Sequence, residues 1–205
     1  MDKYLKPAGA GEAEIIEKRS KFIARVVPVG GEGDAREEIA RVRGKHHDAR
    51  HNCWCYIVRG GVERYSDDGE PQGTAGLPML EVFRRGGVFD VCCVVTRYFG
   101  GILLGPGGLA RAYSGVAKLA LENAGIAELK PWDRIEVACP YSLFARVKQE
   151  IEGFGGVVES VDYGENTVVN ALLPTGRLDG FNKRLADASA GAVRGVVTGC
   201  VHYHT

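Results

Sequence analysis

The stretch from Val91 to Ala124 constrains the fold most, because it joins the most apolar run of the chain to its densest glycine cluster and then to its clearest helix. Val91 to Val95 is continuously apolar and rich in β-branched residues, which is typical of a strand buried on both faces of a sheet. Thr96 and Arg97 mark the point where this strand leaves the core. The run therefore predicts a central strand in a covered sheet.

From Leu109 onward, apolar residues recur at helical spacing, which predicts a helix with one buried stripe. The residues of this stripe are Leu109, Ala112, Tyr113, Val116, Ala120 and Ala124. The helix is predicted to begin near Gly107, with Pro106 close to the first turn, where its missing N–H costs nothing. It ends at Gly125, a residue suited to a left-handed cap.

Five glycines separate the strand from the helix: Gly100, Gly101, Gly105, Gly107 and Gly108. Such a density has two explanations, namely turns with positive φ or the close approach of another group to the backbone. A glycine loop that enters a helix N-terminus also presents N–H groups to an anion or an acidic side chain. The sequence does not decide between turn geometry and an anion or partner site as the reason for these glycines. The spacing matches neither a P-loop nor a dinucleotide-binding loop in its usual context.

A segment of sequence SDDGEP places three carboxylates within four residues: Asp67, Asp68 and Glu70. Carboxylates this close together can bind a divalent ion or act as acids and bases. Asp-Gly with a nearby proline is also good turn chemistry by itself. A further alternative is that these side chains pair with Arg97 or Arg111 and so support the glycine loop.

A basic run precedes the strand that begins at His51. Its members are Arg41, Arg43, Lys45, His46, His47, Arg50 and His51. Cations suit the C-terminal end of the helix that Asp34 is predicted to cap, and this explains the run without any function. The alternative is a modest patch for acidic partners or nucleic-acid phosphates.

Charge and hydropathy narrow the functional class. The formal net charge is +0, so nothing favours binding of duplex DNA by a broad basic face. No apolar run approaches the roughly 18 residues of a membrane helix, and a signal peptide is not recognisable, so we expect a cytoplasmic protein with no membrane partner. Most of the six cysteines lie in apolar runs and are expected to be buried thiols.

The remaining elements are predicted from alternation and turn residues. In the first part of the chain we expect strands over 12–18, 21–29, 51–58 and 62–65, a corner at Arg19 and Ser20, and a helix over 73–85. Lys130 and Pro131 suggest a boundary between domains at 1–130 and 131–205. The second domain has strands from Asp133 and over 157–163, 167–173 and 192–201, with two helices between them. The order βαββαβ is ferredoxin-like, and the whole chain is α+β.

Several long strings resemble the YigZ/IMPACT family. They are KRSKFIA at 18–24, HNCW at 51–54, SDDGEPQGTAG at 66–76, TRYFGG at 96–101 and LGPGGLARAY at 104–113. The resemblance covers nearly the whole chain, and Cys55 and Cys93 depart from it only slightly. It implies a first domain like the second domain of a small-subunit ribosomal protein and like domain IV of elongation factor G. It also implies a second domain like another elongation-factor module.

For function, the resemblance implies a link to translation, because eukaryotic relatives act in translational control by competing for a ribosome-associated activator of a starvation-responsive kinase. It supplies no catalytic residue, cofactor or metal. We therefore expect a non-enzymatic protein that binds RNA, the ribosome or a translation-associated protein. The candidate binding residues are His51, Asp67, Asp68, Glu70, Arg97, Tyr98, Gly100, Gly101, Gly105, Gly107, Gly108 and Arg111.

Two alternatives remain open. The same place could serve a phosphate- or metal-dependent small-molecule-binding protein or enzyme, with the glycine-loop N–H groups on a phosphate and Asp67 or Asp68 on a metal. Alternatively, the motif residues only stabilise the fold, and function lies elsewhere.

Overall fold

The computed structural model describes residues 3–204. Its strands are β1 (Tyr4–Pro7), β2 (Gly11–Glu17), β3 (Ser20–Pro28), β4 (His51–Val58), β5 (Val62–Ser66), β6 (Val91–Tyr98), β7 (Ile126–Cys139), β8 (Val157–Tyr163), β9 (Thr167–Pro174) and β10 (Gly195–Tyr203). Its helices are α1 (Glu32–Lys45), α2 (Gly76–Gly86), α3 (Pro106–Ala124), α4 (Tyr141–Gly153) and α5 (Leu178–Ser189). The predicted α+β class is confirmed.

The first domain, Tyr4–Glu128, is organised around β6. Its main sheet has the order β2-β3-β6-β4-β5, and all neighbouring strands are antiparallel. Every residue from Val91 to Arg97 is buried. Side chains of α2 and α3 pack with one face of the sheet, and those of α1 pack with the other. The predicted central strand is therefore confirmed, since both of its faces lie in hydrophobic cores.

Helix α3 follows the predicted stripe. Pro106 is its first residue, Gly105 is its N-cap, and it ends before Gly125. All six residues of the predicted stripe are buried. The stripe also includes Ala117 and Leu121, so it is wide enough to cover the sheet along the full length of the helix.

Several predicted boundaries in the first domain are wrong for identifiable reasons. Helix α1 begins at Glu32, and Asp34 lies inside its first turn, where Oδ2 accepts the Gly30 N–H at 2.7 Å. Asp34 therefore binds the residue before the helix instead of occupying the N-cap. The corner between β2 and β3 lies at Lys18 and Arg19, both with positive φ, and Ser20 belongs to β3.

Two further elements differ from the prediction. Strand β1 was not predicted, because four residues give too short a pattern to detect. Helix α2 begins at Gly76 instead of Gly73, since the preceding residues form a turn whose N–H groups bind a side chain outside the helix.

A second compact domain begins at Leu129. Its order β7-α4-β8-β9-α5-β10 confirms the predicted βαββαβ pattern, and its antiparallel sheet runs β10-β7-β9-β8. The strand predicted from Asp133 begins at Ile126, so Pro131 lies within β7. In the ladder between β7 and β9, the terminal pair is Trp132 and Pro174. Pro131 lies just beyond this pair, where a missing N–H is tolerated.

The last strand also begins later than predicted, at Gly195 instead of Ala192. Ala190 and Gly191 have positive φ and end α5, and the Val193 N–H donates to Ser189 Oγ at 3.0 Å. These residues are therefore held in the helix-end turn. Among the helices within residues 3–204, none is long and apolar enough to cross a membrane.

Candidate functional site

Four connections of the first domain meet at one end of its main sheet, which we call the loop end. They are the β2–β3 turn at Lys18 and Arg19, residues 46–50 before β4, residues 67–75 after β5, and residues 99–105 after β6. The strand register brings these connections close together, because Arg97 pairs with Phe22 of β3 and with His51 of β4. Segments distant in sequence thus surround the end of the central strand.

The glycine loop depends on glycine for its own geometry at three positions. A side chain at Gly100 would place its Cβ 2.0 Å from the carbonyl carbon of Arg19, so the loop lies directly on the β2–β3 turn. Gly101 has a φ of 82°, and Gly105 has a φ of 73° as the N-cap of α3. Close approach and turn geometry therefore account for these three glycines without a ligand. The other two, Gly107 and Gly108, lie in the first turn of α3.

A buried ion pair lies beneath this loop. Arg97 Nη1 donates to Glu70 Oε1 at 2.6 Å, and the two side chains are 6% and 3% exposed. The Tyr113 hydroxyl donates to the same carboxylate oxygen at 2.8 Å, and His51 Nε2 lies 4.0 Å from it. The internal pairing considered for Arg97 is therefore present. Among residues 3–204, Arg111 has no carboxylate within 4.0 Å.

The guanidinium of Arg97 also connects the loop to the core. Arg97 Nη2 donates to Ser20 Oγ at 3.3 Å, and the same hydroxyl oxygen accepts the Gly100 N–H at 3.2 Å. The rings of Phe22 and Phe99 each lie 5.4 Å from the guanidinium carbon. Within the described part of the chain, Arg97 Nε is buried and lacks a hydrogen-bond partner. Arg97 thus holds the loop from below and retains one unsatisfied N–H.

Asp67 organises the start of α2. Its Oδ1 accepts the N–H groups of Ala75 and Gly76 at 3.0 and 2.8 Å, and its Oδ2 accepts that of Gly73 at 2.8 Å. The Asp67 carbonyl oxygen accepts the Cys53 thiol at 2.9 Å. A negative charge at a helix N-terminus is favourable in itself, so Asp67 acts as a cap supplied from outside the helix.

Asp68 connects the turn after β5 to β4 by a hydrogen bond. Its Oδ2 accepts the Asn52 backbone N–H at 2.7 Å, and its Oδ1 lies 2.6 Å from Arg43 Nη2. The Asp68 carbonyl oxygen is 2.8 Å from His51 Nδ1. Each of the three carboxylates therefore already has charged or backbone partners within the fold.

The twelve candidate residues do not form one continuous surface. Glu70, Arg97 and His51 are buried, and Asp67 and Asp68 are half-buried. Tyr98 is half-buried, and its hydroxyl donates to Asp48 Oδ1 at 3.0 Å. The candidates exposed at the surface are Gly101, Gly105, Gly107 and Arg111. Over residues 3–204, the side chains of His, Cys, Asp and Glu do not gather in groups of three that could hold a metal ion.

Cys53 belongs to the same buried network, where its thiol lies 3.4 Å from the Tyr113 hydroxyl oxygen. Burial raises the pKa of the Cys53 thiol to about 12. Burial likewise raises the pKa of the thiols of Cys55 and Cys92. These thiols are protonated at neutral pH, and the thiolate is the reactive form.

We expect alkylation of the native protein with iodoacetamide at about pH 8 to modify Cys200 and to spare the buried cysteines. Cys200 is exposed, whereas Cys53, Cys55, Cys92, Cys93 and Cys139 are buried. Peptide mapping by mass spectrometry measures the pattern, and labelling in denaturant serves as the control in which all six react. Modification of Cys53 in the folded protein would contradict this expectation and would indicate a nucleophilic thiol.

An open cleft of about 340 Å³ lies above the buried ion pair. Its polar lining includes His51, Glu70 and Arg97, and Arg50 also contributes to it. The apolar lining residues are Pro71, Phe99, Leu103, Leu104, Pro106 and Leu109. The loop beside the cleft exposes 42% of Phe99, 40% of Ile102 and 82% of Leu103. Apolar side chains this exposed on a loop are typical of an interaction site.

The sequence interpretation missed Arg50 as a lining residue of the cleft, together with Phe99 and Leu103. Arg50 was recognised only as part of the basic run. The signal for the apolar residues was present, because FGGILLG places large hydrophobic side chains in a glycine-rich loop. Loops usually carry polar residues at their tips, so this composition could have indicated a contact surface.

Comparison with known families divides the chain in the same two parts. Residues 18–121 match the family described as the Impact N-terminal domain. Residues 137–192 match a family described as Domain of unknown function (DUF1949). The first match contains the whole loop end together with almost all of α3.

Similar proteins match along nearly the full chain. IMPACT family member YvyE of Bacillus subtilis is 33% identical over 193 residues, which is 93% of this chain and 89% of the relative. IMPACT family member YigZ of Escherichia coli is 33% identical over 198 residues, covering 95% and 97%. A crystal structure of a hypothetical protein has 32% identity and a TM-score of 0.66, covering 97% of this chain and 98% of that one.

Proposed function

This chain belongs to the IMPACT family, and we propose that it is a non-enzymatic, cytoplasmic binding protein that acts in translation or its regulation. Its contact would be with RNA, the ribosome or a ribosome-associated protein, and its contact surface would be the cleft at the loop end. The observation that carries this proposal is the combination of unpaired cations with exposed apolar side chains around that cleft.

The cations at the loop end are available to a partner. Among residues 3–204, neither Arg19 nor Arg50 has a carboxylate within 4.0 Å. Arg50 lines the cleft, and the backbone of Arg19 lies against Gly100 of the loop. Because the whole chain has a net charge of +0, any phosphate contact depends on such local groups. This arrangement favours a restricted contact over binding along a duplex.

The apolar side of the cleft suits unstacked bases or a protein surface. Phe99 exposes 42% of its surface beside Arg97 and offers a ring on which a base can stack. Single-stranded RNA is bound by aromatic side chains together with Arg and Lys. A ribosomal protein could bury Leu103, which is 82% exposed, in the same contact.

The enzymatic alternative is less well supported by these contacts. Asp67 would have to give up three backbone N–H donors to bind a metal ion, and Glu70 would have to leave Arg97. Breaking a buried pair leaves a charge without compensation, which is strongly unfavourable. The N–H groups of Gly107 and Gly108 at the start of α3 are a feature that suits a phosphate.

Cosedimentation with ribosomes and with free ribosomal RNA across a salt series tests the proposal. We expect binding that persists near physiological salt. Arg50→Ala should lower the slope of log affinity against log salt by about 1, as loss of one phosphate contact does. Phe99→Ala should weaken binding by about 1–3 kcal/mol if a base stacks on the ring.

Arg36→Ala is the matched control, because Arg36 is 74% exposed on α1 and does not line the cleft. Melting temperatures close to that of the parent protein would show that each variant is folded. Binding to ribosomes but not to free RNA would identify a protein partner. Absence of binding at low salt, or equal binding by all variants, would refute the proposal, and phosphate and divalent-ion titrations would then test the alternative.

A further inference from the structure

A second groove lies between α2 and α3, with a volume of about 540 Å³. Helix α2 lines it with Leu77, Pro78 and Val82. Helix α3 contributes Ala110, Ser114 and Gly115, which are small residues. The two helices thus form a shallow trough with a bulky aliphatic side and a side that another backbone can approach closely. This groove shares no residue with the cleft at the loop end.

Gly115 has no role inside the domain that explains it. It lies near the middle of a helix of 19 residues and does not have positive φ. A Cβ at this position would meet nothing within 4 Å. Glycine weakens a helix interior relative to alanine, so neither backbone conformation nor internal packing accounts for it. A partner that approaches α3 closely from outside would account for it.

Ser114 adds to this small surface instead of offering a polar contact. Its Oγ donates back to the Ala110 carbonyl oxygen at 2.7 Å. The hydroxyl is therefore already satisfied within α3. Together with Ala110 and Gly115, it leaves a strip of the helix that lacks long side chains.

The charges around the groove are mostly positive. Three cations line it: Arg85, Arg111 and Lys118. The one carboxylate that lines it, Glu81, accepts Arg84 Nη1 at 2.6 Å, and the same guanidinium donates to Glu63 at 2.8 Å. The lining side chains therefore include three cations and one carboxylate. Arg85 and Lys118 each have their nearest paired carboxylate only at 3.9 Å, and Arg111 has none within 4.0 Å in residues 3–204. Exposed pairs at such distances contribute little, so these cations can serve a partner.

We propose that this groove binds an acidic amphipathic helix of a partner protein. The apolar face of that helix lies against Leu77 and Val82 and passes close to Gly115. Arg111 and Lys118 are seven residues apart, which corresponds to about 10 Å along a helix axis. The partner helix therefore presents carboxylates about two turns apart to these cations. Aliphatic residues form the apolar part of this groove, which favours a helix over stacked RNA bases.

Nuclear magnetic resonance of the labelled full-length protein tests the proposal with two synthetic helical peptides. Both peptides carry the same leucine and alanine stripe, and they differ only in having either glutamate or lysine at two positions seven residues apart. We expect the glutamate peptide to shift backbone resonances within 77–85 and 110–118. The lysine peptide should leave them unchanged, because it faces three cations.

Variants of the groove provide the decisive comparison. Gly115→Leu should abolish the shifts because its side chain fills the trough. Gly115→Ala should raise the melting temperature and still weaken binding, because its Cβ lies where the partner backbone approaches. Lys118→Glu should weaken binding of the glutamate peptide by about three- to tenfold and leave ribosome binding unchanged.

Three results would overturn the proposal. The first is the absence of shifts in the groove, or equal shifts with both peptides. The second is a groove response to single-stranded RNA that exceeds the response to the glutamate peptide. The third is a dimer in sedimentation equilibrium that Gly115→Leu disrupts, since the groove would then bind a second copy of this chain.

Discussion

Replacing Arg97 with alanine is expected to lower the free energy of unfolding of the first domain by about 3–5 kcal/mol, because it leaves the Glu70 carboxylate buried without its cation. Glu70 has only 3% of its side chain exposed, and Arg97 is the cation that lies against its carboxylate at 2.6 Å. Denaturant unfolding followed by Trp54 fluorescence measures the effect. The background variant Trp132→Phe removes the second of the two tryptophans, which lies in the other domain.

Arg43→Ala is the matched control for burial. Arg43 pairs with Asp68 at 2.6 Å, the same distance as in the Arg97–Glu70 pair, but Arg43 is 44% exposed. We expect the free energy of unfolding of this variant to fall by about 1 kcal/mol or less. Adding Glu70→Gln to Arg97→Ala should recover stability, because a neutral amide can still accept the Tyr113 hydroxyl. A double variant no more stable than Arg97→Ala alone would contradict the role of the unpaired charge.

This expectation explains why Arg50 is the better test of binding. Loss of ribosome binding in Arg97→Ala would accompany a large loss of domain stability and would not identify a direct contact. Arg50 lines the cleft from its exposed side, so its removal changes the surface and leaves the buried pair in place.

Replacing Asp67 with alanine is expected to lower the free energy of unfolding by about 3 kcal/mol, because three backbone N–H groups lose their acceptor at once. The affected donors belong to Gly73, Ala75 and Gly76, at the start of α2. Hydrogen exchange should become faster in this segment before the rest of the domain opens. Asp67→Asn should be less harmful, since its amide oxygen can still accept hydrogen bonds.

Asp34→Ala is the control for this variant. Asp34 also accepts a backbone N–H at the start of a helix, but it receives only that of Gly30, in an exposed setting. We expect Asp34→Ala to lower the free energy of unfolding by about 1 kcal/mol or less. If the two aspartates proved equally important, or if hydrogen exchange at the start of α2 did not change, the capping role of Asp67 would be refuted.

The extent of prediction differs between the fold and the site. The central strand β6, the buried stripe of α3 and the βαββαβ order of the second domain were predicted correctly. Each of these predictions depends on the spacing of apolar residues, or on the position of a glycine or proline, within a short segment. The sequence signal for them is therefore local. The start of α2 was predicted wrongly because its capping residue, Asp67, lies nine positions before Gly76.

The site shows the same limit more strongly. The sequence identified Glu70 and Arg97 as chemically notable, and it left a surface, a metal site and an internal pair as alternatives. It missed the cleft, because Arg50, Phe99 and Leu103 line it only when segments on both sides of β4 and β6 come together. No pattern within one segment reveals a shape that several segments form.

By itself, the sequence determined the α+β class, the buried central strand and the helix that follows the glycine loop, because the alternation and spacing of apolar residues act over a few positions. Only the tertiary structure decided that Arg97 meets a carboxylate 27 residues away and that Tyr113 meets the same oxygen across 43 residues. These contacts depend on the register of β6 against β3 and β4, since a slip of one residue would turn Arg97 to the opposite face of the sheet.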